Sequence, residues 1–211
     1  MDWTYAARTL AGLLAILNPL GAIPVFISLT MGWDAATRMR TARIAAVATG
    51  LVLSTAALAG DRILAFFGIS IAAFRVGGGI LVLLMAIHMM QAKRSGARQT
   101  PEETEAAAEK DSVAVVPLAI PLLAGPGAIS TVILNAHQTR GFLGFVMLGG
   151  IIWLMAGAVY LALTAAVPLA RRLGVLGINI TTRILGLLLA AIAVEFIADG
   201  LKELFPLLAG G

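Results

Sequence analysis

The chain has no cysteine among its 211 residues, which excludes a disulfide framework, a thiolate metal site and a cysteine nucleophile. Charge is scarce too: Asp, Glu, Lys and Arg together make up 12% of the sequence, about half the proportion found in soluble domains. With so few charged groups a soluble fold could not cover its own surface. Only two histidines are present, His88 and His137, far apart and without metal-ligand spacing. No cluster of His, Asp, Glu or an activated nucleophile is evident, so the chain does not read as an enzyme and no cofactor or metal is expected.

What is abundant is apolar. Hydrophobic residues form 60% of the chain and the mean hydropathy is +0.97. They occur in long blocks, the pattern of membrane spans. Six are predicted, at about Tyr5–Leu29, Ile44–Leu58, Ala72–Met90, Val113–Leu134, Phe142–Ala166 and Ile184–Leu204. Ala65–Ile71 is too short to span and reads as an interfacial turn. Gln91–Ser112, with nine of the chain's charged residues, reads as a solvated connector. The apolar start runs directly into a longer block and shows no cleavage site, so no signal peptide is expected.

The net charge of +4 does not point to nucleic acid, because the basic residues flank apolar blocks. Arg38, Arg40, Arg43, Lys93, Arg94, Arg98, Lys110, Arg171, Arg172 and Arg183 fall on one side of a six-span topology; Arg8, Arg62, Arg75, Arg140 and Lys202 fall on the other. The positive-inside rule then places both termini outside the cytoplasm.

Two spans share an unusual local sequence. The first holds Leu17-Asn18-Pro19-Leu20-Gly21-Ala22-Ile23-Pro24 and the fourth Leu123-Ala124-Gly125-Pro126-Gly127-Ala128-Ile129-Ser130. Phe74-Arg75-Val76-Gly77-Gly78 in the third is echoed by Thr182-Arg183-Ile184-Leu185-Gly186 before and within the sixth. The offsets agree within about two residues, so the halves align in order. A repeat of three spans must enter the membrane from opposite sides, which predicts an all-α fold of two inverted three-helix repeats, residues about 1–92 and 113–211, joined by a cytoplasmic linker at about 93–112.

Proline removes a backbone donor and glycine weakens a helix, so the first and fourth spans are expected to break near mid-depth. A freed peptide group in hydrocarbon costs several kcal/mol unless it faces protein or water. Matching breaks therefore predict a shared polar site lined by Asn18, Pro19, Gly21, Ala22, Gly125, Pro126, Gly127, Ala128, Ser130 and Thr131. Half-helix N-termini starting near Ala22 and Ala128 favour a carboxylate, free carbonyls favour an ammonium, and the lining is small, which together suit a small zwitterion. The competing role for such residues is kinking for helix packing.

Glu195 and Asp199 share one face of the last span; Glu195, nearer its middle, is the candidate for proton coupling. Arg75 is the expected partner of Asp199, and Arg183 lies near His88 and Gln91, so these groups are candidates for closing the two ends of a pathway, with interfacial snorkelling as the alternative. His137 reads as a loop residue. Gly77–Gly79, Gly149, Gly150 and Gly157 are expected to let helices pack closely.

With these motifs the chain resembles the MarC family of bacterial inner-membrane proteins, also called the neutral amino acid transporter family. The resemblance is carried by Asn18–Pro24, Phe74–Leu81, Pro121–Ile129 and Arg183–Val194, and runs through nearly the whole chain. It implies transport of small neutral amino acids such as glycine and alanine, as export in some members, across the bacterial inner membrane. The residues themselves predict a secondary transporter by alternating access with proton or sodium coupling undetermined. A channel or pore for a small solute, or a non-transporting assembly protein, are the rival readings.

Overall fold

The computed structural model describes residues 3–91, 114–139 and 141–206. The predicted solvated connector Gln91–Ser112, apart from Gln91, lies outside the described residues, as does Arg140. Among the described residues every regular element is helical. In chain order they are α1 (Trp3–Leu17), α2 (Pro19–Leu29), α3 (Ala35–Phe66), α4 (Ile71–Met90), α5 (Ala114–Leu123), α6 (Pro126–Gln138), α7 (Gly141–Thr164) and α8 (Ala166–Leu204). Among the described residues five stretches are long and apolar enough to cross a membrane: Thr4–Leu29, Ala35–Phe66, Ile71–Met90, Gly141–Thr164 and Leu176–Leu204. The predicted fourth span is instead two pieces of 10 and 13 residues, α5 and α6, each too short alone.

Two boundaries differ from the sequence reading. The sequence places the second span at Ile44–Leu58 with room to extend toward Ile63, whereas α3 runs for 32 residues and starts earlier, because its first turns carry Arg38, Arg40 and Arg43 and hydropathy discounts them. Asp34 starts this helix by accepting from Thr37 N at 2.9 Å and Thr37 Oγ1 at 2.7 Å, and these bonds hold its carboxyl below the usual range. The sixth span was drawn from Ile184, but helix begins at Ala166 and bends at Gly174, whose φ of 61° and ψ of 177° no ordinary helical residue adopts. The Ala65–Ile71 segment does form a turn: α3 ends at Phe66, Gly68 takes a φ of +66°, and Ser70 caps α4 by accepting from Ala73 N at 3.1 Å.

The outward surface is apolar, with Leu51, Leu58, Ile80, Leu81, Leu154, Leu187 and Leu188 all exposed. The interior divides into two cores. One gathers α1 (Leu13, Ile16, Leu17) with α6 (Ala128, Val132), Val82 of α4 and the first half of α7. The other gathers α2 (Ile23, Phe26) with α5 (Leu118, Leu122, Leu123), the start of α3 and the second half of α7. Each interrupted helix thus gives one half to each core.

Helices α4 and α8 lie backbone to backbone. A Cβ on Gly79 would sit 3.0 Å from Ala193 O, and one on Gly186 would sit 3.1 Å from Ala86 O. These two contacts are reciprocal, as antiparallel partners of like sequence require. Polar links gather several helix ends on the face that carries the N-terminus: Tyr5 Oη to Asn135 O at 3.0 Å, His137 Nδ1 to Asp61 Oδ2 at 3.1 Å, and Arg75 Nη1 to Glu203 Oε2 at 3.2 Å.

The glycine predictions divide. Gly78 packs against Ser130 and Gly79 against α8, but Gly77, Gly149, Gly150 and Gly157 have nothing within 4 Å of an added Cβ. Gly77, Gly150 and Gly157 are exposed and Gly149 is half-buried, and composition alone does not tell which face of a helix a glycine occupies. A paired substitution tests the distinction. Gly77→Ala is expected to leave thermal stability in detergent unchanged or raise it by up to about 1 kcal/mol through helix propensity. Gly79→Ala is expected to lower it, because backbone atoms of α8 would have to move.

Candidate functional site

The first interruption is a sharp kink rather than a gap. Pro19 cannot donate to Ala15 O, so the helix ends there, and Asn18 takes the left-handed conformation with φ 41° and ψ 63°. Asparagine tolerates this region better than other non-glycine residues. Asn18 N donates to Leu14 O at 3.0 Å, Ala22 N donates to Asn18 O at 3.2 Å, and Gly21 N donates to the Asn18 side-chain Oδ1 at 3.1 Å. The sequence reading expected this second half-helix to begin near Ala22 with open N–H groups. It begins at Pro19, and Asn18 fills its start with its own amide. Pro19 and Ala22 are buried, Gly21 is half-buried, and Asn18 is 7% exposed.

The second interruption is built differently. The chain reaches it wound as a π-helix, closing with Ala124 N to Ala119 O at 2.7 Å. Gly125 is then extended, with φ −75° and ψ 174°, and α6 starts at Pro126 with no side-chain cap. The first helical bond runs from Ile129 N to Gly125 O at 3.1 Å, so the N–H groups of Gly127 and Ala128 precede it. These point along the positive end of the α6 dipole. Pro126 is exposed, while Gly125, Gly127 and Ala128 are buried.

The two interruptions meet beside α4. A Cβ on Gly127 would lie 3.3 Å from Val82 Cγ2, 3.5 Å from Met85 Sδ and 3.9 Å from Ile16 Cγ2. Ile16 immediately precedes the Leu17-Asn18 turn, so the end of α1 abuts the start of α6. Ser130 and Thr131 are buried at 3% and 2% exposure, and Ser130 lies against Gly78. Thr131 Oγ1 is buried without a hydrogen-bond partner among the described residues; Ser54 Oγ on α3 is the other such hydroxyl. An orphaned hydroxyl of this kind costs about 1–3 kcal/mol unless water or a ligand meets it.

The charged candidates lie elsewhere. Arg75 pairs with Glu203, one turn beyond the expected Asp199, because the antiparallel register of α4 and α8 brings Glu203 to that level. Asp199 and Arg183 are exposed, and neither forms an ion pair with another described residue. Glu195 is exposed as well. Ala193 and Ile197 contact Gly79 of α4, so Glu195, about half a helical turn from each, faces away from that helix. His88 is half-buried near the end of α4. His137, read from sequence as a loop residue, is in the last turn of α6 and pairs with Asp61. No group of three or more His, Cys, Asp or Glu side chains suited to a metal ion occurs among the described residues.

A polar seam escaped the sequence reading. Thr9 Oγ1 of α1 donates to Asn135 Oδ1 of α6 at 2.9 Å, and Asn135 Nδ2 donates to Thr131 O at 2.8 Å. Above them Tyr5 Oη donates to Asn135 O at 3.0 Å and lies 3.2 Å from Thr139 Oγ1. The signal was present: Tyr5 and Thr9 are four apart, as are Thr131, Asn135 and Thr139, so each set forms one stripe on its helix.

Comparison with known proteins agrees with this membrane architecture. The model of the MarC family integral membrane proteins matches residues 3–205. A UPF0056 membrane protein of Escherichia coli (strain K12), YhcE, is 43% identical over 208 residues, covering 97% of this chain and 95% of that one. A UPF0056 membrane protein of Methanocaldococcus jannaschii is 40% identical over 202 residues, covering 96% and 98%. YvbG of Bacillus subtilis (strain 168), another UPF0056 membrane protein, is 36% identical over 211 residues, covering 99% of each. No solved structure gives a significant match. With its apolar helices, its exposed apolar surface and a family match over nearly all its length, the chain belongs to the MarC family of integral, multi-pass membrane proteins.

Proposed function

We propose that the protein is a secondary transporter of small neutral amino acids of the glycine and alanine type, working by alternating access between two inverted three-helix halves. The observation that carries this reading is the unpartnered Thr131 hydroxyl beside the uncapped start of α6, where the two interruptions meet. A carboxylate suits the Gly127 and Ala128 N–H groups and the helix dipole. An ammonium suits the Ala15 carbonyl, which Pro19 deprives of its helical donor. Glycine and alanine at the helix start, packed against Val82 and Met85, suit a solute with a small side chain. The inverted repeat is supported by the reciprocal Gly79–Ala193 and Gly186–Ala86 contacts and by the division of each interrupted helix between two cores.

The bilayer in this reading is the bacterial inner membrane, with both termini on the non-cytoplasmic side. Arg38, Arg40, Arg43, Arg171 and Arg172 cluster at the end away from the N-terminal face, in accord with that orientation. Transport in this reading needs no organic cofactor and no catalytic residue; protons and sodium are the candidate coupling ions. Glu195 is exposed on the side of α8 away from α4, and in this reading it is either the proton-coupling group or a hydrated structural acid.

Three measurements test this. Purified protein in liposomes is expected to show saturable counterflow of labelled glycine or alanine; linear, unsaturable flux would make it a pore, and no flux would leave an assembly role. Thr131→Val, which removes the orphaned hydroxyl at constant shape, is expected to leave stability unchanged or raise it by about 1 kcal/mol or more while lowering transport at least tenfold. A variant both less stable and fully active would remove Thr131 from the site. Glu195→Gln decides between the two roles of that residue: pH dependence of uptake is lost if it is the coupling group and kept if it is a structural acid.

A further inference from the structure

The α1–α6 seam lies between the solute site and the face that carries the N-terminus. Its groups succeed one another along two facing helices: Tyr5 and Thr139 at the end, Thr9 with Asn135 one turn deeper, then the lone Thr131 hydroxyl, then the open N–H groups of Gly127 and Ala128. The seam joins the first half of one interrupted helix to the second half of the other. The rest of the contact between these helices is apolar, through residues such as Leu13, Ile16, Ala128 and Val132.

We propose that Tyr5, Thr9, Asn135 and Thr139 form the closed gate of the solute path on the N-terminal face. The proposal rests on the transport reading above and adds to it the residues that open and close one end. Uncharged hydrogen bonds fit this task. Each is worth about 1 kcal/mol net, and water or the polar ends of a passing solute replace it without leaving a buried charge. A gate of ion pairs would demand far more on opening, and a purely apolar one would offer the solute no partner on the way in. The Asn135 side chain holds both roles at once. Its Oδ1 bridges to α1 and its Nδ2 is bound to the Thr131 carbonyl, so a break in the Thr9 bond frees an acceptor directly above the orphaned hydroxyl. Thr131 is thereby the first group a solute meets once the gate parts.

Because the chain lacks cysteine, a single introduced thiol reports the state of the gate. Thr131→Cys in membrane vesicles of either orientation is treated with a membrane-impermeant maleimide from the N-terminal face. Labelling is expected to be slow with the gate intact. Adding Thr9→Val and Asn135→Leu should speed it by about fivefold for each net hydrogen bond lost, and Tyr5→Phe, a milder change, by a smaller factor. Leu148→Cys, in the core on α7, should label equally slowly with and without these changes. Labelling of Thr131→Cys that no gate substitution alters, or that rises together with Leu148→Cys through general loosening, overturns the proposal. The readout needs no transport. Accessibility that responds while counterflow is absent keeps the gate and defeats the transporter, whereas counterflow with unresponsive accessibility keeps the transporter and defeats the gate.

Discussion

A peptide group inside hydrocarbon must find a partner, and most of this structure follows from that requirement. Among the described residues most helices satisfy it with ordinary α-helical bonds; α5 does so with the wider π spacing, ending in the Ala124–Ala119 bond. The interruptions are where it is hardest to meet. At the first, Asn18 supplies an amide oxygen for Gly21 N, a local repair that makes the kink self-sufficient. At the second, nothing in the side chains near Gly125 does the same. The difference between a repaired and an unrepaired helix start separates a packing kink from a place for a ligand, and it is why the proposed site centres on α6 rather than being shared equally.

Packing elsewhere keeps the interruptions in place. Without a hydrophobic driving force between helices in lipid, association depends on close contact and on hydrogen bonds. Gly79 and Gly186 let α4 and α8 approach to backbone contact, while Gly60 and Gly50 seat Ile133 and the Trp153 ring against α3. The α4–α8 pair acts as a strut: its α4 member presents Gly78, Val82 and Met85 to α6 and fixes where the second interruption lies. In the proposed cycle the cores move relative to one another, and the interrupted helices, each divided between the two, are the natural hinges.

Much of this was legible in the residues. The prolines and glycines of Asn18–Pro24 and Leu123–Ser130 marked both interruptions, and hydropathy found the apolar stretches. What hydropathy missed was helix continuing through charge, as at the start of α3, and the helical stretch that precedes the Gly174 kink. At the start of α3 composition changes but backbone bonding does not, whereas at Gly174 a positive φ kinks the chain between two helical stretches. The self-capping of Asn18 could not be read, since it depends on a left-handed φ that the sequence allows without demanding. Facing is the other blind spot. Gly77 and Gly79 are neighbours in sequence and opposite in environment, and Glu195 sits on a surface that no count of residues along a single helix would have assigned. The Tyr5–Thr9 and Thr131–Asn135–Thr139 stripes were visible as spacing, but their meeting depends on which helices are adjacent.

The capping of α2 by Asn18 has one more implication. One half of the molecule carries an internal substitute for a ligand, and the other half does not. If the halves exchange roles during a cycle, they do so from unequal starting points: withdrawing the solute leaves the α2 end saturated and the α6 end wanting. An empty molecule therefore has a reason to rest with α6 turned toward whichever compartment can supply water, so the unloaded protein should spend unequal time facing the two sides of its membrane.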